Sequence, residues 1–210
     1  MTLLAIYDKL FARYGDLNWW PAKTPYEVIV GAILTQNTAW INVEKAISNF
    51  GDNLNPEMIT NAHINELVEI IRPAGFFNQK ANYLKAITSW FAHYDFCIQS
   101  VKQKALDDVR SELLSVKGVG QETADSILLY AFEYPTFVVD AYTMRLCDRF
   151  SIDAGKGYSA VKAFFELNLP RDVEVYNNFH ALIVINSKEH CRKKLSCEGC
   201  PLDGCCKRLY

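Results

Sequence analysis

The stretch Leu113-Leu114-Ser115-Val116-Lys117-Gly118-Val119-Gly120-Gln121-Glu122-Thr123-Ala124 decides how this chain is read. It closes one segment of helical apolar spacing and opens another, which predicts two helices joined by a tight turn. Gly118 and Gly120 carry no Cβ, so the backbone can turn sharply there and come close to a partner. The N–H groups that begin the second helix then point outward and favour an anion such as a phosphate. Lys117 places a positive charge beside them. A Gly-Val-Gly of this kind also suits an ordinary helix–helix turn, so the flanking sequence has to decide.

Downstream, a helical segment ends at Phe132 and is followed by Pro135-Thr136-Phe137-Val138-Val139-Asp140 and another helical pattern. Asp140 falls where an N-cap falls, and capping is its plainest role. Thr136–Val139 reads as extended, but it is too short and isolated to build a sheet. Elsewhere apolar residues recur at helical spacing over about 2–14, 25–36, 39–50, 63–72, 75–93, 104–115, 121–132, 141–150, 157–168 and 172–187. Turn formers such as Gly51-Asp52-Asn53 and Arg72-Pro73-Ala74-Gly75 separate them. The chain is therefore expected to be all-α.

Composition bounds the rest. Of the 210 residues half are apolar and 22% charged, enough to bury a core and unlike a disordered linker. No run reaches the ~20 apolar residues that span a bilayer. The start, MTLLAIYDKLFARYG, reads as an amphipathic helix rather than a signal peptide. A cytoplasmic, nucleoid-associated location and no membrane partner are the expectation. The net charge of −2 excludes a grip on nucleic acid over the whole surface. It leaves local basic contacts, at Arg72–Lys85, Lys117, Arg145 with Arg149, and Lys188 to Lys194, each of which also reads as a solvated helix face.

Five of the seven cysteines fall within the sixteen residues 191–206. Without a secretion signal, clustered thiols serve metals more often than disulfides. The spacing Cys191-x5-Cys197-x2-Cys200-x5-Cys206, with Cys205 spare, suits either an iron–sulfur cubane or a tetrahedral zinc. A zinc ribbon normally uses two Cys-x2-Cys knuckles, and only one is present. Cys97 and Cys147 sit in apolar helical patterns and read as core.

Taken together, the Gly-x-Gly hairpin, the helix, the Pro-containing loop and the Asp resemble the helix-hairpin-helix–Gly/Pro–Asp motif of base-excision DNA glycosylases. With the Cys-x2-Cys tail, the resemblance is to the endonuclease III superfamily, from about Pro25 to Cys206. It implies a two-lobed fold, with a six-helix-barrel lobe over 25–132 that contains the hairpin (about 107–132). Residues 1–24 and 133–210 would form the second lobe, which carries Asp140 and a [4Fe-4S] loop at 191–206 held by Cys191, Cys197, Cys200 and Cys206, in preference to zinc. Double-stranded DNA bearing a damaged base would be the partner, bound by a monomer in the cleft between lobes. Lys117, Gly118 and Gly120 would meet phosphates. Asp140 would be the catalytic carboxylate.

Members that also cut the strand carry a hairpin lysine, whose amine attacks the sugar and forms a Schiff base. Here Glu122 occupies that place, and a glutamate forms no imine. A monofunctional enzyme without lyase activity is expected. Asn18-Trp19-Trp20-Pro21, Leu34-Thr35-Gln36-Asn37-Thr38 with Trp40, and Arg72-Pro73-Ala74-Gly75-Phe76-Phe77 resemble the 3-methyladenine DNA glycosylase III branch. That likeness implies a base pocket of Trp19, Trp20, Pro21 and Trp40, and alkylated purines as substrates. Aromatic faces suit such cationic bases. Gln36 also resembles the endonuclease III glutamine that fills the hole left by a flipped base. His180 reads as a satisfied histidine packed beside the helix of Asp140. A pyrimidine or mismatch (uracil/thymine) glycosylase, or a non-catalytic DNA-binding iron–sulfur protein, would share much of this pattern.

Overall fold

The computed structural model describes residues 1–17, 19–192 and 195–207, among which there are twelve α-helices and no strand. The helices form two compact units. One comprises Met1–Pro21 with Pro135–Tyr210, and the other Ala22–Tyr134. None of the described helices is long and apolar enough to cross a membrane.

The second of these units is built around α2 (Pro25–Leu34). Thr24 accepts from the Glu27 N–H at 3.1 Å and Pro25 occupies the first turn, so the start is capped from both sides of the rule. Every residue from Val28 to Leu34 is buried, which makes α2 the core helix of the unit. Around it lie α3 (Trp40–Ser48), α4 (Pro56–Asn61), α5 (Ile64–Ile71), α6 (Phe77–Ala92), α7 (Ile98–Lys102), α8 (Leu106–Ser115) and α9 (Gln121–Ser126). The helical spacing at 121–132 does not continue as a single α-helix. After Ser126 the turn widens, and the Phe132 N–H reaches five residues back to the Ile127 carbonyl at 3.2 Å. Such a π-type turn is a local widening of the ladder. The short helices α4 and α7 escape periodicity, because five or six residues complete little more than one turn.

Lys80 corrects the surface reading of the basic stretch. It is 2% exposed, and its ammonium donates to the Leu34 carbonyl, Thr38 Oγ1 and the Ala74 carbonyl at 2.8, 2.8 and 2.9 Å. Burial pushes its pKa down to about 8. Three donors meet three acceptors, so Lys80 ties the end of α2 to the Thr35–Thr38 turn and to Arg72–Ala74. Lys85 likewise donates to the carbonyls of Thr60 and Ala62 at the end of α4.

In the other unit, α12 (Val173–Glu189) is the buried axis, packed by α1 (Leu3–Tyr14) and α10 (Ala141–Phe150), while α11 (Tyr158–Asn168) packs on α1. Phe137 stacks on Phe165 with ring centroids 4.5 Å apart and meets Tyr176 and Phe179 edge-on. Thr136–Val139 lies outside the helices, as expected, and is buried, with no strand beside it among the described residues. Glu166 substitutes for one: its Oε1 accepts from the Phe137 N–H at 2.8 Å and is held by Lys162 at 2.6 Å.

Candidate active site

The hairpin lies between α8 and α9. Gly118 has φ +88°, and a Cβ there would sit 2.2 Å from Cγ of the Tyr83 ring, so both backbone and neighbour demand glycine. Gly120 differs: its φ is −93° and a Cβ would meet nothing, so the turn itself does not require glycine at this position. Lys117 and Glu122 are both exposed, one before the turn and one in the first turn of α9. The hairpin is braced from within by Arg110 on α8, whose Nε and Nη2 grip the fully buried Asp125 carboxylate at 2.7 and 3.0 Å. Gln36 braces it from the turn that follows α2. Its amide nitrogen donates to the Gly118 carbonyl at 2.9 Å and to Thr123 Oγ1 at 3.0 Å. The residue expected to meet an orphaned base is thus engaged by the hairpin here.

Asp140 does cap α10. Its Oδ1 accepts from the Thr143 N–H at 2.7 Å and from the Thr143 hydroxyl at 3.0 Å. His180 Nε2 stands 3.5 Å from the other oxygen, Oδ2. Burial alone would raise the carboxyl's pKa, but His180 and the two Thr143 bonds outweigh it, and the net shift is downward. The His180 charge acts only when the imidazole is protonated, whereas the Thr143 bonds act throughout. Thr143, fully buried, and His180 complete a three-residue constellation; the sequence singled out Asp140 as the carboxylate and His180 as a histidine packed beside its helix, and did not single out Thr143. The Asp-x-x-Thr spacing at a helix start was the available signal for Thr143; nothing local pointed His180 at Asp140.

Trp19 and Trp20 are half-buried and Pro21 is exposed. Trp20 has φ +70°, a left-handed conformation that bulky residues rarely adopt. The Lys188 ammonium lies 5.6 Å from the centroid of the Trp19 ring, so that ring already faces a cation. Trp40, half-buried in the other unit, begins α3 and donates through Nε1 to Glu44 at 2.8 Å. Asn18 lies outside the described residues, as do Lys193 and Lys194 of the basic loop.

Cys191, Cys197, Cys200 and Cys206 line one enclosed cavity together with Arg145, Arg149 and His190, while Cys205 is exposed. Burial pushes the Cys191 thiol up, and so do the neighbouring Cys200, Cys206 and Cys197; Cys200 is raised by burial and by Cys206 and Cys197. Four thiols that repel one another as anions fit a positively charged centre. A buried Arg149 Nη1 without a hydrogen-bond partner lines the same space and suits thiolate or sulfide acceptors. Among the described residues, no three of His, Cys, Asp and Glu converge as ligands of one ion would. Arg145 steadies the loop by donating to the Cys191 carbonyl at 2.8 Å. Cys147 is buried as expected, its thiol pushed up to about 11 by burial. Cys97 is not core: it is exposed at the N-cap of the five-residue helix α7, of which Val101 is the buried residue.

A hairpin leading through a buried non-helical segment to a capping aspartate defines a class of DNA repair enzyme, and a family comparison agrees. Residues 30–171 match the sequence model of the HhH-GPD superfamily of base excision DNA repair proteins. The chain belongs to that family and is a DNA glycosylase of the endonuclease III type. It is 49% identical over 206 residues to MJ1434 of Methanocaldococcus jannaschii, a candidate DNA repair glycosylase, covering 96% of this chain and 94% of that one. It is 28% identical to the endonuclease III of Sulfolobus acidocaldarius, over 88% of this chain and 82% of the other. Among solved structures, the H. pylori 3-methyladenine DNA glycosylase MagIII bound to 1,N6-ethenoadenine superimposes with a TM-score of 0.79 at 28% identity. That match covers 90% of this chain and 98% of the H. pylori chain.

Proposed function

We propose that this protein is a monofunctional DNA glycosylase that releases alkylated purines such as 3-methyladenine from double-stranded DNA, with Asp140 as its catalytic carboxylate. The observation that carries the chemistry is the Asp140 carboxylate itself, largely buried, held below the ordinary aspartate pKa and fixed at one oxygen by Thr143. Extruding the base from the stack costs a few kcal/mol and favours damaged bases. As the C1′–N bond breaks, its electron pair leaves with the base and positive charge builds on the sugar. An ionised carboxylate stabilises that charge and orients water, whose oxygen bonds to C1′ while its proton is lost. A cationic purine is already a good leaving group, so the protein need supply little acid catalysis.

Glu122, where lyases carry their lysine, supports hydrolysis rather than imine chemistry. The likeness to the H. pylori 3-methyladenine enzyme supports the substrate class, with Trp19, Trp20, Pro21 and Trp40 as the base pocket. The Lys188 contact with Trp19 supports a ring face that accepts a cation. Lys117, Gly118 and Gly120 would bind phosphates, which position a duplex without reading it. Gln36 would exchange its hairpin bonds for the orphaned partner base. Cys191, Cys197, Cys200 and Cys206 would hold a [4Fe-4S] cluster, which supplies a covalent staple for the loop.

Base release from a panel of DNAs containing 3-methyladenine, 7-methylguanine, uracil and thymine glycol, with borohydride added in parallel, tests the reading. Release of the methylated purines without a covalent adduct is the expected result. A robust trapped adduct overturns the monofunctional assignment, and exclusive release of uracil or thymine glycol overturns the substrate.

A further inference from the structure

The two oxygens of Asp140 have different neighbours. Both Thr143 bonds end on Oδ1, so the helix cap is complete without help from any other element. Oδ2 faces His180 on α12, a residue 6% exposed in a run where Phe179, Ala181 and Leu182 are all fully buried. An apolar side chain would fill that position without the cost of burying an imidazole. The capping of α10 therefore gives no reason for a histidine there. A carboxylate held at one oxygen can still rotate about its broad terminal torsion. A partner on the second oxygen from a different helix removes that freedom.

We infer that His180 is a positioning residue: it sets the plane of the Asp140 carboxylate and presents Oδ2 in a fixed direction for the sugar and the water. This rests on the reading of Asp140 as the catalytic carboxylate. The 3.5 Å separation exceeds a normal N–H···O bond. Contacts of this kind tighten when substrate binds. Small misplacements of a reacting group are expensive in rate, so losing the contact should slow chemistry by about tenfold or more while leaving binding intact.

The experiment compares wild-type protein with His180→Phe, which fills the volume without a donor, and His180→Gln, which restores an N–H. Single-turnover base release, affinity for a duplex carrying an uncleavable abasic-site analogue, and thermal unfolding are measured for each, alone and with Asp140→Asn. H180F should lose at least tenfold in rate with affinity within twofold and an unchanged melting temperature, and H180Q should recover most of the rate. In the Asp140→Asn background H180F should cause no further loss. Wild-type rate in H180F, an equal loss in both backgrounds, or a loss that tracks the melting temperature and is not rescued by H180Q overturns the inference. Full activity in Asp140→Asn alone would instead remove the catalytic reading, which keeps the two failures apart. A carbon-detected NMR titration of the Asp140 carboxyl needs no substrate. It should move upward in H180F and by less in H180Q, which restores the N–H but not the charge, and an unmoved titration in H180F counts against the contact.

Discussion

Asparagine caps a helix about as well as aspartate, so Asp140→Asn separates the structural role of this residue from its chemical one. Unfolding in urea should show a change of no more than about 1 kcal/mol, while the single-turnover rate falls by about 100-fold or more. The Asp140 carboxyl titrates below its ordinary value of 3.8 in the folded protein. Its contribution to stability is thus fully present above that value and is lost as pH falls through the folded-state value. The acid limb of the rate that Asp140 controls should therefore lie below the ordinary aspartate range, and a pH–rate profile in single turnover checks this. Lys80 is the second residue with a sharp expectation. Lys80→Met removes the side-chain donor to the Leu34 carbonyl in the interior, while the Ala74 carbonyl keeps the Thr38 hydroxyl. Denaturant titration should show a loss of about 1–3 kcal/mol, the cost of one buried unpaired group.

At the level of elements, the hairpin is a pair of short helices that could not hold their angle alone, because isolated helices of this length are marginal in water. The Arg110–Asp125 pair supplies one clamp and Gln36 another. Arg110→Met leaves a fully buried carboxylate without its partner, and the expected loss is about 3–5 kcal/mol by chemical denaturation. Lesion-DNA affinity should fall with it if the hairpin is the phosphate contact. The same elements show where periodicity stops being informative. The long helices α2, α6 and α12 were legible from apolar spacing, whereas α4 and α7 were too short, and the wide turn at Ile127–Ala131 has no apolar signature distinct from an α-helix.

Across the whole molecule, the cysteine loop is where the proposed cluster would sit. Cys206 lines the cavity shared with Cys191, Cys197 and Cys200, and Cys205 is exposed. Cys206→Ser should lower the iron and acid-labile sulfide bound per chain and bleach the visible absorbance, and Cys205→Ser should leave both unchanged. The near-neutral charge is consistent with DNA held at a few local contacts, because affinity from many phosphates would need a broad positive surface.

By itself the sequence determined the helical class, the Gly-x-Gly hairpin, the capping position of Asp140, the lack of a lysine at Glu122 and the four-thiol pattern. These are local: propensity, spacing and capping act over a few residues, so a string of residues expresses them directly. Tertiary structure decided what His180 faces, why Lys80 is buried, what Gln36 holds, and which of two adjacent cysteines joins the cavity. Each depends on groups from distant parts of the chain meeting in a low-dielectric interior, where a polar atom must find a partner or pay a desolvation cost. No local pattern encodes which partner that will be.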